Sequence, residues 1–153
     1  MEFEKATTVA APIGRVWQML LDPGVMGACV PGMESIDVVS DTEYLVNIYV
    51  KVSFVSARFM VRTRIVETQP PRYLRSEGAG EDSSLANSLR QSSEVFLTDH
   101  GGEATELRMK LKVEVFGRLG GFGMNIIKTK ADRMWEDFGR NLANHISQGR
   151  VAT

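Results

Sequence analysis

The chain has 153 residues, the length of about one domain, and its 18 Lys and Arg against 19 Asp and Glu leave a net charge of −1. That balance removes the basic footprint of a nucleic-acid binder and any whole-molecule attraction to anionic membranes. One cysteine excludes an internal disulfide and a cysteine-rich metal site, which makes a reducing cytoplasm the expected compartment; no apolar run approaches the ~20 residues of a membrane span, and Met1-Glu2-Phe3-Glu4-Lys5 does not read as a secretory signal.

In chain order, Glu2–Val9 alternates loosely and reads as a strand that ends at Ala10-Ala11-Pro12. Pro12 suits the first turn of a helix. Ile13, Val16, Trp17, Leu20 and Leu21 then recur on one helical face. Asp22 followed by Pro23 stops that helix and caps a second short one, which Pro31-Gly32 ends.

From about Met33 to Phe116 the period is two. Val46, Ile48 and Val50 alternate with polar neighbours. So do Val55, Ala57, Phe59, Val61, Thr63 and Ile65, and later Leu107, Met109, Leu111 and Val113. This pattern belongs to antiparallel strands with one wet face and one buried face. Turn signals fall at Ser40-Asp41, Pro70-Pro71, Glu81-Asp82-Ser83 and Asp99–Gly102. Gly78 and Gly80 share one face, which predicts a bend or a close backbone approach. The last element repeats Leu119, Phe122, Ile126, Ile127, Met134, Phe138, Leu142 and Ile146. It predicts an amphipathic helix from about Leu119 to Ser147, about 40 Å long at ~1.5 Å per residue. The order is therefore strand, two short helices, about six antiparallel strands and one long helix, in a single domain over residues 1–153. A one-sided sheet must cover its apolar face, and only the long helix is large enough to do so.

Val16-Trp17, Leu20-Leu21, Asp22-Pro23 and Cys29-Val30-Pro31-Gly32, followed by Phe59, Gly78, Gly80, Gly117-Arg118-Leu119-Gly120 and Phe138, resemble the carbon monoxide dehydrogenase G subunit (CoxG) family of the START/SRPBCC helix-grip superfamily. The resemblance implies an α+β fold in which a curved seven-stranded antiparallel sheet wraps the long helix around an apolar cavity. It implies a hydrophobic small molecule as ligand, quinone- or lipid-like, and a molybdenum hydroxylase complex as partner. It also implies peripheral contact with the inner face of a membrane. Some relatives reach the membrane through a long C-terminal extension, whereas this sequence ends at Thr153 a few residues past its predicted helix. Two other readings stay open: a polyketide-cyclase-like enzyme using polar cavity residues, and a ligand-free docking or maturation module.

Cys29, Val30, Phe59, Val61, Met109, Phe122 and Ile126 are expected to line the cavity. Methionine fills irregular space and adapts to varied ligands, so the eight methionines fit such an interior. No catalytic residue and no cofactor is expected. Cys29 has no neighbouring base to activate it and reads as a small buried hydrophobe. His100 sits in a turn and His145 near a helix end, short of the three or four converging ligands of a metal site. Glu77, Glu81 and Asp82 read as solvated charges around a turn. Gly117–Gly123 lacks a phosphate-loop Gly-Lys-Ser/Thr and reads as a backbone-thin helix entrance, either a gate or a plain turn. Arg58, Arg62 and Arg64 on one strand, and Arg108, Lys110 and Lys112 on another, read as a solvated outer face with cross-strand ion pairs.

Overall fold

The computed structural model describes residues 1–84 and 86–151. In chain order these form β1 (Glu2–Val9), α1 (Ile13–Leu20), α2 (Pro23–Cys29), β2 (Met33–Val38), β3 (Glu43–Val52), β4 (Val55–Gln69), β5 (Tyr73–Asp82), β6 (Asn87–His100), β7 (Ala104–Gly117), one 3-10 turn (Gly120–Phe122) and α3 (Met124–Val151). Asp22 caps α2 as its position before Pro23 predicts, its carboxylate accepting from the backbone N–H groups of Gly24 (2.9 Å) and Val25 (3.4 Å).

The sheet order is β1-β7-β6-β5-β4-β3-β2, with every neighbouring pair antiparallel. β1 and β2 occupy opposite edges, so α1 and α2 carry the chain from one edge to the other. The β6–β7 register sends Leu107, Met109, Leu111 and Val113 to the inner face and leaves Arg108, Lys110 and Lys112 exposed, as the alternation predicts. Gly80 faces Val61 across the β4–β5 ladder. A Cβ there would collide with the Met60 carbonyl, which is the close approach expected of the paired glycines.

Two apolar clusters hold the layers together. In the first, Trp17 of α1 packs with Leu97, Leu107 and the α3 residues Phe138, Leu142 and Ile146. The buried Thr105 hydroxyl donates to the Ala11 carbonyl at 2.8 Å and ties the α1 entrance to β7. Lys5 of β1 reaches Asp132 of α3, and Asn141 of α3 donates through Nδ2 to the Cys29 carbonyl at 3.0 Å. The second cluster joins Val52, Val55, Ala57, Phe59 and Val61 to Leu119.

Three expectations change. The long helix begins at Met124 rather than Leu119, because Gly123 at φ +86° interrupts it and Gly120–Phe122 makes a 3-10 turn. Leu119 therefore enters the second cluster from a connector, not from a helix face. Ile126 lies in the first turn of α3 and is 46% exposed, outside the apolar stripe its spacing suggested. Asp82 is buried rather than solvated. It accepts from Ser84 Oγ (3.1 Å), from the backbone N–H groups of Ala86 (3.0 Å) and Asn87 (3.3 Å), and from Asn87 Nδ2 (2.8 Å). Those bonds, led by the Asn87 side chain, hold its carboxyl below the usual value of 3.8. Asn87 Oδ1 in turn accepts from the Leu119 N–H at 2.9 Å, so the β5–β6 turn anchors the connector into α3.

Candidate ligand cavity

The curvature of the sheet leaves unfilled space between its inner face and the helices, in two lobes. One, of about 360 Å³, lies beneath α3 and is walled by Phe3, Leu107, Met134, Trp135 and Phe138. The other, of about 450 Å³, lies over β3–β6 and is walled by Val46, Ile48, Val61, Ile65 and Leu89. Leu20, Met26, Val30, Leu74, Met109 and Leu111 belong to both walls, so the lobes meet along them. Each lobe falls within the ~300–1,000 Å³ of ordinary small-molecule sites.

The walls are overwhelmingly apolar. Their thioethers come from four elements: Met26 of α2, Met33 of β2, Met109 of β7 and Met134 of α3. Uncharged polar side chains cluster on the inner face of β3–β6, where Tyr44, Thr63, Ser76, Gln91 and Ser93 line the second lobe. Ser76 and Ser93 satisfy each other at 2.7 Å. Among the described residues, no Asp, Glu, Lys, Arg or His lines that lobe. Lys5 lines the other lobe with its ammonium held by Asp132.

Of the seven residues expected at the cavity, the structure brings Val30, Val61 and Met109 to its wall. Cys29 is buried behind Val30 in the first cluster, and burial pushes its thiol pKa up, the opposite of an activated nucleophile. Phe59 is buried in the second cluster, with Phe122 packed against that cluster from outside. Phe122 meets Phe54 edge-to-face at 5.7 Å. Ile126 lies exposed in the first turn of α3, with Met124 (64% exposed) two residues before it; Phe54 on the β3–β4 hairpin is 78% exposed. Sequence reasoning missed the polar wall. Its signal was present: Thr63 shares the phase of Val61 and Ile65, and Gln91 and Ser93 share the phase of Leu89 and Val95.

Among the described residues no three His, Cys, Asp or Glu side chains converge for a metal. The outer face is laced with ion pairs, as its alternation predicts: Arg58–Glu34 at 3.0 Å, Arg62–Glu43 at 3.9 Å, Arg108–Glu4 at 3.4 Å and Lys112–Glu2 at 3.5 Å. No helix among the described residues is long and apolar enough to cross a membrane.

Solved structures share this architecture over nearly the whole chain. A conserved protein from Geobacillus kaustophilus superposes with a TM-score of 0.88 at 18% identity, over 97% of this chain and 96% of its own. A START superfamily protein from Mycobacterium smegmatis gives 0.73 at 14% identity, over 96% and 97%. The ZhuI aromatase/cyclase from Streptomyces sp. R1128 gives 0.71 at 16% identity, over 97% and 94%. Likeness at these identities establishes the fold, that of START-type proteins, and nothing of the chemistry. No curated protein matches the sequence. The family model for the carbon monoxide dehydrogenase G subunit (CoxG) matches residues 6–147, a span that runs from β1 into the last turns of α3 and takes in every wall of the cavity except Phe3 and Lys5. The chain belongs to the CoxG family.

Proposed function

We propose that the protein is a single ligand-binding domain that takes up a hydrophobic small molecule, quinone- or lipid-like, and serves as an accessory or carrier protein to a molybdenum hydroxylase of the carbon monoxide dehydrogenase type. The observation that carries this reading is the apolar, methionine-bearing two-lobed cavity between sheet and α3. Family membership supports the enzyme partner, and the START-type fold supports the class of ligand. The single cysteine supports a cytoplasmic setting, and the residues around the connector support work at the periphery of the inner membrane face. The exposed Phe54, Met124 and Ile126 accompany the exposed Lys51, Arg118 and Lys128, a pairing of apolar and cationic groups suited to an anionic lipid interface.

A cyclase-like catalyst is the second reading, favoured by the cluster of polar side chains on the β3–β6 wall. In the described structure its ionisable groups at the cavity are Tyr44 and the Asp132-engaged Lys5, a poor start for acid–base chemistry.

Native mass spectrometry of protein purified without detergent, with solvent extraction of the same sample, tests the carrier reading. One equivalent of a co-purifying apolar molecule is the expected result. A bare protein that also fails to bind any added apolar compound leaves the ligand-free docking module in its place.

A further inference from the structure

The cavity's polar residues are not scattered. The strand register aligns Tyr44 with Thr63, Thr63 with Gly78, and Gly78 with Gln91, so the four form one row across β3, β4, β5 and β6. With strands ~4.8 Å apart, the row is about 14 Å long. Its third position is glycine, and the gap has an occupant: a Cβ on Gly78 would lie 3.0 Å from Gln91 Nε2 and 3.1 Å from a methyl of Val61. The Gln91 amide therefore lies over Gly78, in room that a Cβ there would tighten. Among the described residues neither the Gln91 amide, the Thr63 hydroxyl nor the Tyr44 hydroxyl has a hydrogen-bond partner in the protein, in contrast to the mutually satisfied Ser76 and Ser93. The polar atoms of Gln91, Thr63 and Tyr44 are open to solvent within the cavity rather than sealed off, so a ligand oxygen can take the place of water on them.

We infer that the row Tyr44–Thr63–Gly78–Gln91 is the head-group site of the cavity, and that it takes a neutral carbonyl or hydroxyl oxygen in preference to a carboxylate. This inference rests on the carrier reading and adds which molecules it admits and which way round they sit. Gln91 and the two hydroxyls can both donate and accept, which suits an uncharged oxygen. No cationic side chain lines this lobe to offset the desolvation of an anion. The lobe beneath α3, walled by Phe3, Leu107, Met134 and Trp135, is left for the apolar body. The preferred ligand is thus an amphiphile with an uncharged polar end over Gly78 and an apolar body against α3. Fatty acid anions are disfavoured.

Three probes with one aromatic body separate the terms: a naphthol, naphthalene and a naphthoate, titrated against wild-type protein, Gln91→Leu and Thr63→Val. Thr63→Val keeps the side-chain shape and removes only the hydroxyl. The expected result is naphthol affinity weakened about tenfold by Gln91→Leu and about threefold by Thr63→Val, the worth of a neutral hydrogen bond in each case. Naphthalene affinity should stay within about twofold throughout, and naphthoate should bind wild type more weakly than naphthol. If naphthalene binds while naphthol affinity is indifferent to both substitutions, or if naphthoate binds tightest, the head-group assignment is overturned and the carrier reading stands. If no probe binds wild-type protein, the head-group assignment falls, and the co-purification test above decides the carrier reading.

Discussion

Replacing Val61 with Trp should remove the protein's response to apolar ligands while leaving it folded. Val61 is buried at 7% exposure on β4 and forms part of the wall of the 450 Å³ lobe, so a larger side chain there grows into the space a ligand would occupy. Held empty, that lobe would cost roughly 11 kcal/mol at ~24 cal/mol per Å³, an upper bound because the slope comes from sealed cavities. Whole domains have only about 5–15 kcal/mol of stability. The unliganded protein must therefore hold water near the polar row or draw its walls together, and a ligand that fills the space should stabilise it measurably. At ~100-fold excess over Kd the gain is about 2.7 kcal/mol. For a chain of this length that raises the melting temperature by about 5–11 °C. Differential scanning fluorimetry against quinones, long-chain alcohols and polyaromatics reads the shift directly. Because Val61 packs in the second cluster as well as bordering the lobe, unliganded Val61→Trp should lose up to about 1–3 kcal/mol, the cost of overpacking, and still fold, with the rest of the added bulk entering the unfilled space. It should then show no ligand shift. A wild-type protein that no compound stabilises, or a variant that responds as strongly as wild type, refutes the reasoning.

Two further outcomes follow from the fold. Trp17→Ala, which removes the α1 anchor of the first cluster, should cost about 3–5 kcal/mol in urea denaturation; a loss below about 1 kcal/mol would mean that α1 does not depend on it. Asp82 has its carboxyl held below 3.8 in the folded state, chiefly by Asn87, so its contribution is present above that value and fades as the pH drops through the lower folded one. Asp82→Asn should accordingly lose less stability than wild type between about pH 5 and about pH 2, and identical acid limbs in pH-dependent denaturation would contradict this.

The elements that could be read from the sequence are those whose periodicity faces one environment. Leu107, Met109, Leu111 and Val113 alternate with charged neighbours because β7 has cavity on one side and water on the other. Asp22-Pro23 announces a cap through purely local chemistry. The misplaced helix start has an equally physical origin. Leu119 and Phe122 match a helical spacing, yet Gly120, Gly121 and Gly123 withhold helix propensity, and Leu119 is drawn instead into the cluster around Phe59. Asp82 looked like a turn charge because its partners, Ala86 and Asn87, lie in the turn that the carboxylate itself organises. The cavity was legible as a class but not residue by residue. Val30, Val61 and Met109 sit where curvature leaves space, whereas Cys29 and Phe59, equally apolar and on neighbouring positions, are consumed by packing. The polar row escaped notice because its members lie on four strands and only the register aligns them.

The two tryptophans make ligand entry into the cavity directly measurable. Trp135 lines the lobe beneath α3, whereas Trp17 belongs to the packed first cluster. A naphthoquinone whose body fills the lobe beneath α3 comes against the Trp135 ring and quenches its fluorescence. Occupation of the cavity predicts saturable, one-to-one quenching in wild-type protein, most of it lost in Trp135→Phe even though that variant is still stabilised by the same ligand. Quenching that rises linearly without saturating, or that survives in full in Trp135→Phe, would show that apolar molecules do not occupy the lobe beneath α3 and would contradict the account.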